Sequence, residues 1–196
     1  MQLIIASNNA HKIAEMQQIL SPWYPQIQGL RQAGYDIHVV EDGLSFAENA
    51  LKKAQQVSRQ TGCAALADDS GLCVDQLSGA PGIYSARFAG ENADDASNNR
   101  LLLEKLRPLP HPWTGRFVCA IALVRPGCAP IQVQAAIEGE ILDAPRGENG
   151  FGYDPLFVPT GYAQSFAELD AAVKNRISHR AKALALLLQA LEAEKQ

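Results

Sequence analysis

No stretch of this chain approaches the roughly 20 apolar residues that a membrane helix requires, and no tract is of low complexity. The four histidines form no HExxH pattern and the four cysteines no CxxC pair, so zinc-type spacing and a paired redox motif are absent. Three of Cys63, Cys73, Cys119 and Cys128 sit in apolar, strand-like runs, which predicts small core residues of a reducing compartment rather than a disulfide framework. Positive charge is not in excess: 17 Lys and Arg against 21 Asp and Glu give a net charge of -4. A general nucleic-acid binder would carry a basic surface, so no nucleic-acid partner is expected, although a local basic pocket is compatible with this balance. There is no glycine run ending in Gly-Lys-Ser/Thr, hence no Walker loop. There is no DxD at the end of the first apolar run, where Ser7-Asn8-Asn9 stands, which argues against an aspartyl-phosphate phosphotransferase. The opening Gln2-Leu3-Ile4-Ile5-Ala6 is too short for a signal peptide and lacks a basic lead-in. A cytoplasmic protein without a membrane partner is expected.

What is present is a globular composition, 47% hydrophobic and 19% charged over 196 residues, enough for a substantial core. Leu3 to Ser7 reads as a buried strand. A helix follows from about Asn9 to Leu20, with Ile13, Met16, Ile19 and Leu20 on one face, stopped by Pro22 and Pro25. Ile37 to Val40 reads as a second strand. Ser45-Phe46-Ala47-Glu48 is a capping box opening a helix with apolar Ala47, Ala50, Leu51, Ala54 and Val57. Cys63 to Ala67 and Cys73 to Leu77 read as two short strands, and Gly79 to Gly82 as a loop. A helix spans about Asp94 to Leu106. Arg116 to Val124 and Ile131 to Ile141 form a predicted antiparallel pair, and a last helix from near Ser178 buries Leu184, Leu187, Leu188 and Leu191. Strands alternating with helices, plus an antiparallel pair, predict a mixed-sheet α/β fold in one domain over residues 1–196.

The most informative segment is Ala67-Asp68-Asp69-Ser70-Gly71, two carboxylates placed directly after an apolar run. An ionised carboxylate buried without a partner is very costly, so the pair is expected at the strand's end, facing a cleft with a cation available. Ser70-Gly71 would turn the chain and offer a hydroxyl and an N–H to a ligand. An Asx-type turn is the ordinary alternative for these residues.

Lys12 lies in the first turn of the first helix, and His179 and Arg180 in the first turn of the last. A helix N-terminus is itself partly positive and disfavours a cation by about 0.3–1 kcal/mol. Two such helices point to a bound anion, a phosphate held by amides and by Lys or Arg; simple extension of the side chains into water is the alternative. Lys174 adds a further positive charge nearby in sequence, or is solvated surface. Anion and carboxylates together imply a metal. Asp68, Asp69 and Glu41, in Val39-Val40-Glu41-Asp42-Gly43, offer the hard oxygen ligands that magnesium prefers, although Glu41 alone reads equally as a loop residue ahead of a helix.

Along nearly its whole length the chain resembles the inosine/xanthosine triphosphate pyrophosphatases, and within them the bacterial dITP/XTP pyrophosphatases. The residues that carry the resemblance are Ala6-Ser7-Asn8-Asn9 with Lys12 and Glu15, Phe46-Ala47-Glu48-Asn49-Ala50, and Ala67-Asp68-Asp69-Ser70-Gly71-Leu72. Gly79 to Arg87, Gly150-Phe151-Gly152-Tyr153-Asp154-Pro155 and Ser178-His179-Arg180 continue it in the same order. The resemblance implies a homodimer whose subunit has an elongated mixed sheet flanked by helices, with two lobes around a central cleft. It implies magnesium-dependent cleavage of a deaminated purine nucleoside triphosphate to monophosphate and pyrophosphate.

By resemblance, Ser7, Asn8, Asn9, Ala10, His11 and Lys12 hold the phosphates. Asp69 is general base and metal ligand, Glu41 matches a second ligand, Ser70 touches substrate, and Lys53 matches a lysine of the second helix. Phe151, Gly152, Tyr153, Asp154, Lys174, His179 and Arg180 match nucleoside-binding positions. Two departures are His11 and Ala181, where glycine is common in relatives.

The chemistry required is attack of water on the α-phosphorus, with Asp69 accepting the proton, Lys12 stabilising phosphate charge, and Asp68 raising the pKa of its neighbour. Selectivity is expected to rest on the 6-keto oxygen, read by a donor such as Arg180 or a backbone N–H, with Phe151 either stacking on the base or packing in the core. The competing readings are a Maf-like nucleotide pyrophosphatase of other specificity and a non-catalytic nucleotide-binding module.

Overall fold

A computed structural model describes residues 2–194. Its six strands form one sheet in the order β2-β1-β3-β4-β5-β6. In chain order the elements are β1 (Gln2–Ile5), α1 (Ala10–Leu20), β2 (Gln26–Gly29), α2 (Phe46–Thr61), β3 (Ala64–Val74), α3 (Asp95–Leu106), β4 (Thr114–Val124), β5 (Ile131–Ile141), β6 (Phe157–Pro159), α4 (Ala171–Ile177) and α5 (His179–Ala193). β1 pairs in parallel with both β2 and β3, whereas β5 and β6 are antiparallel. Residues 125–130 join the neighbouring strands β4 and β5, a connection too short for anything but antiparallel pairing. The sheet is therefore mixed, as expected for this α/β chain.

The helices begin where side chains can satisfy their open N–H groups. Asn9 caps α1 by accepting from the amides of His11 and Lys12. Ser45 caps α2 by accepting from the Glu48 amide at 3.2 Å, and Glu48 answers by accepting from the Leu44 amide at 2.7 Å. α2 ends at Gly62, whose positive φ of 68° supplies the left-handed cap. Asp94 caps α3.

Two compact units are present. The first comprises the chain up to Asp69, Cys119–Ala135 and the chain from Arg180 onward; the second comprises Ser70–Val118 and Ala136–His179. In the first, Leu3 and Ile5 of β1 pack with Ile13, Met16 and Leu20 of α1, Leu66, Ile121, and Leu184, Leu187 and Leu191 of α5. In the second, Leu72 and Val74 pack with Leu102 and Leu106 of α3, Trp113, Phe117, Phe157 and Phe166.

Several sequence expectations are corrected. Residues 37–40 are not a strand; the neighbour of β1 is Gln26–Gly29, a polar segment at the edge of the sheet, where one partner satisfies its backbone. Cys63–Ala67 and Cys73–Leu77 are not two strands, because β3 runs unbroken from Ala64 to Val74 and is followed by a short helical turn at Asp75–Leu77. Of the cysteines, which are all free, Cys119 is buried, Cys63 and Cys73 are half-buried, and Cys128 is exposed. Among the described residues no helix is long and apolar enough to cross a membrane.

Candidate functional site

The continuity of β3 changes the setting of the carboxylate pair. Asp68 and Asp69 lie inside the strand, not at its end, and are only 2% and 6% exposed. Burying two charges in a sheet is tolerable only where cations reach them. Those cations come from three separate helices.

Asp68 is served from α1 and α5. Lys12 Nζ lies 3.0 Å from Asp68 Oδ2. Arg180 donates to the same oxygen from Nε at 3.3 Å and from Nη2 at 3.2 Å, and Nη1 donates to Glu15. The two basic helix starts thus share one internal anion, Asp68. Burial opposes the Arg180 charge, but Asp68 foremost, with Glu15, outweighs it and holds the guanidinium above its ordinary pKa. Arg180 is 1% exposed, so this geometry supports a counter-ion role more than donation to a base. The Lys12 side chain, 19% exposed, is the more accessible cation. The amides of His11 and Lys12 are engaged by Asn9, and Ser7 Oγ accepts from the Asn9 amide at 3.1 Å. Asn8, Asn9, Ala10 and His11 are exposed around this turn.

Asp69 is served from α2. Asn49 donates from Nδ2 to Asp69 Oδ2 at 3.0 Å, and Lys53 Nζ lies 3.9 Å from Asp69 Oδ1. The same Lys53 nitrogen donates to Glu41 Oε1 at 3.0 Å. Burial raises the Asp69 pKa; attraction to Lys53, the Asn49 bond and Lys12 pull it back only partly, and Glu41 adds to the rise. The expectation that Asp68 raises its neighbour is not what governs: desolvation does. For Lys53, burial works against the charge, but Asp68, Glu41 and Asp69 together keep the ammonium above its usual value.

Among the described residues no group of three or more His, Cys, Asp or Glu side chains is placed to hold a metal. Magnesium does not need three, since it keeps several waters and takes one or two carboxylates plus phosphate oxygens. Asp69 and Glu41, both turned to Lys53, and a burial penalty on Asp69 that its neighbours do not cancel, fit that donor set.

The second unit holds the remaining candidates. Asp154 Oδ2 accepts from Lys174 Nζ at 2.6 Å and from the Phe151 amide at 2.8 Å. Lys174 Nζ stands 4.6 Å from the centre of the Phe151 ring and 5.7 Å from that of Phe166. Gly150 is required here: its φ is +79°, and a Cβ would collide with the Asp154 carboxylate. Asp95 accepts from the Gly152 amide at 2.6 Å and Asn99 donates to the Gly152 carbonyl at 2.9 Å, so α3 grips this residue at both backbone groups. A cavity of about 590 Å³ is lined by α3 and the loop containing Phe151 and Gly152. Tyr153 is buried, its hydroxyl donating to the Ser85 carbonyl at 2.8 Å. His179 is buried and stacked on Phe117 with ring centres 4.9 Å apart. Ser70, the first residue of this unit, is half-buried.

Asn49, Asp95, Asn99 and Phe166 were not singled out as site residues from the sequence. Asn49 had a readable signal: it falls with Lys53 on the stripe Phe46, Ala50, Ala54, Val57 that α2 buries, where a polar residue is anomalous.

The profile of the Ham1 family matches residues 3–190. A relative from Desulforamulus reducens named dITP/XTP pyrophosphatase is 48% identical over 97% of this chain and 96% of its own. The solved structure of the Staphylococcus aureus Ham1 protein superposes with a TM-score of 0.89 at 40% identity, covering 99% of this chain and all of that one (100%). A Mycobacterium abscessus structure described as nucleoside-triphosphatase / dITP/XTP pyrophosphatase gives a TM-score of 0.77 at 43% identity, over 96% of this chain and 99% of that one. A match of this extent, on a chain whose buried carboxylates meet lysines from α1 and α2, leaves one assignment: the chain belongs to the Ham1 family.

Proposed function

We propose that this protein hydrolyses deaminated purine nucleoside triphosphates, dITP, ITP and XTP, to the monophosphate and pyrophosphate, with Mg²⁺ as cofactor, as a cytoplasmic homodimer that cleanses the nucleotide pool. The observation that carries the reading is Asp69: a buried carboxylate facing Lys53 and Glu41, next in β3 to the Asp68 that meets Lys12 at the head of α1. Relatives at 43–48% identity bearing the name dITP/XTP pyrophosphatase support the substrate class.

Water adds to the α-phosphorus, the bond to the bridging oxygen breaks, and pyrophosphate leaves. Asp69 takes the proton of the attacking water at Oδ1, because Oδ2 already accepts the Asn49 amide. Lys12 stabilises charge on the phosphate oxygens, and since Arg180 also neutralises Asp68, Lys12 can turn to a phosphate without leaving that carboxylate unpaired. Asp69 and Glu41 would hold Mg²⁺; the chemistry it supplies when bound is a more acidic water and neutralised phosphate charge. Lys174, fixed by Asp154 against the Phe151 ring, offers a donor for a 6-keto oxygen beside a stacking surface.

The test is incubation with Mg²⁺ and ITP, dITP, XTP, ATP and GTP in turn, with product identification. Monophosphate and pyrophosphate from the first three, and little from the others, is the expected result. Release of orthophosphate, equal use of ATP, or turnover in excess chelator would overturn it, and binding without turnover would point to a nucleotide-binding module.

A further inference from the structure

We infer that Asn49 is a positioning residue for the hydrolysis, fixing the Glu41–Gly43 segment relative to Asp69 so that both carboxylates are presented together to Lys53. The inference rests on the proposed function for its kinetic consequence, but its structural part stands alone. Asn49 is 1% exposed and points into the carboxylate cluster from the buried face of α2. Its two polar ends go to different parts of the chain. Nδ2 donates to Asp69 Oδ2 at 3.0 Å, and Oδ1 accepts from the Gly43 amide at 2.8 Å. One planar, buried amide therefore bridges β3 to the segment that carries Glu41.

The need for such a bridge follows from the rest of that segment. Residues 37–43 have no helix or strand to hold them, so side-chain contacts must set where Glu41 lies. Other ties include Gln56 Nε2 donating to the His38 carbonyl at 3.0 Å, which lies ahead of Glu41, and two ionic contacts, Lys52 to the exposed Asp42 and Lys53 to Glu41. Lysine stems are flexible and fix charge more than direction, whereas an amide held at both ends fixes geometry. The bridge also assigns the oxygens of Asp69: with Oδ2 engaged by Asn49, Oδ1 is the atom turned to Lys53. Gly43 is part of the same device. A Cβ there would stand 2.6 Å from Asn49 Oδ1 and 3.0 Å from Glu48 Cβ, so only glycine brings its amide this close. Aspartate at position 49 would keep an acceptor for Gly43 but set a second carboxylate against Asp69.

The experiment uses the full chain with three variants, Asn49→Ala, Asn49→Asp and Gly43→Ala, assayed on ITP with saturating Mg²⁺ and followed by amide hydrogen exchange without substrate. Loss of a positioning bond of this kind lowers activity by roughly 10–100-fold. The expected pattern is that fall in kcat with KM within about threefold for Asn49→Ala, and a smaller fall for Gly43→Ala. In Asn49→Ala the Gly43 amide should exchange faster while the amides of α2 keep parental protection. Asn49→Asp should retain Gly43 protection and still lose kcat. Parental kcat in Asn49→Ala, or unchanged Gly43 exchange, overturns the inference. Exchange accelerated throughout α2, or a rise in KM equal to the fall in kcat, assigns Asn49 a merely structural or binding role and also overturns it. If the parent itself has no activity on ITP, the proposed function fails, and the Gly43 exchange result still decides whether the bridge exists.

Discussion

Asp68 and Asp69 are consecutive in β3, yet their direct contacts go to different cations, Asp68 to Lys12 and Arg180 and Asp69 to Lys53 with a bond from Asn49. Lys12 attracts Asp69, and Asp68 attracts Lys53, only at longer range. Alternation along a strand turns successive side chains to opposite faces, which lets two buried charges avoid direct competition for one partner. The consequence is a division of labour. Asp68 is the more fully compensated, with two cations on one oxygen, and suits organisation; Asp69 remains under-compensated, as its raised pKa indicates, and suits chemistry.

Asp69→Asn should therefore separate activity from stability. Loss of a general base is expected to lower kcat by about 10²–10⁴-fold. The stability effect has the opposite sign. Because burial raises the folded pKa of Asp69 above its unfolded value of about 3.9, the folded chain binds more protons between those two values. Its contribution is present in acid, below the unfolded value, and is lost as pH rises through the folded one. In chelator at pH 7 the variant should melt higher than the parent, and the difference should vanish near about pH 3. Thermal melts across this range decide it; a parent that melts higher at pH 7 contradicts the argument.

Asp68→Asn should do the reverse to stability. Both Lys12 and Arg180 would lose their shared anion, and Arg180, with Glu15 as its remaining carboxylate, is buried. Removing one partner of a buried ion pair costs about 3–5 kcal/mol, and urea denaturation at neutral pH should show a loss of that order. A loss below about 1 kcal/mol would mean that the cluster is not held by this carboxylate.

The two carboxylates show what the sequence could and could not reveal. Asn9, Ser45 and Asp94 announce their helices locally, since a cap and its amides lie within three residues. The interruption predicted at Asp68 was wrong because what neutralises the pair is not local: Arg180 is 112 positions away. β2 was missed because Gln26–Gly29 is polar and at an edge, while Ile37–Val40 has strand-like composition but no partner strand. β6 is three residues ending in Pro159, too short for a period to show. The residue types at the site were readable; their pairing was set by tertiary contacts alone.

Phe151 offers a test of the nucleoside side. If its ring stacks on the base, Phe151→Ala forfeits about 1–3 kcal/mol, and KM for ITP should rise by about tenfold or more. Phe151→Tyr, which keeps the ring, should stay near the parent. The Asp154–Lys174 pair does not depend on the ring, so the melting temperature should change little in Phe151→Tyr. Equal KM values for the parent and Phe151→Ala would place the ring in the core only.

Lys12 and Arg180 share Asp68, and the structure assigns them different work. Arg180 is buried, donates to the carboxylates of Asp68 and Glu15 from Nε, Nη1 and Nη2, and has the planar fork that such bonds need. Arg180→Lys keeps the charge and loses the fork, so it should lower stability by more than 1 kcal/mol. Lys12 is partly exposed and makes one ionic contact, while Arg180 still neutralises Asp68 if it is removed. Lys12→Met should therefore cost little in a urea melt but lower kcat/KM on ITP by about 10²-fold, the scale of one lost donor to developing charge. The discriminating quantity is the ratio of the two effects in each variant. A Lys12→Met protein that unfolds readily yet, while folded, turns over ITP at the parental rate would exchange the roles of these two cations.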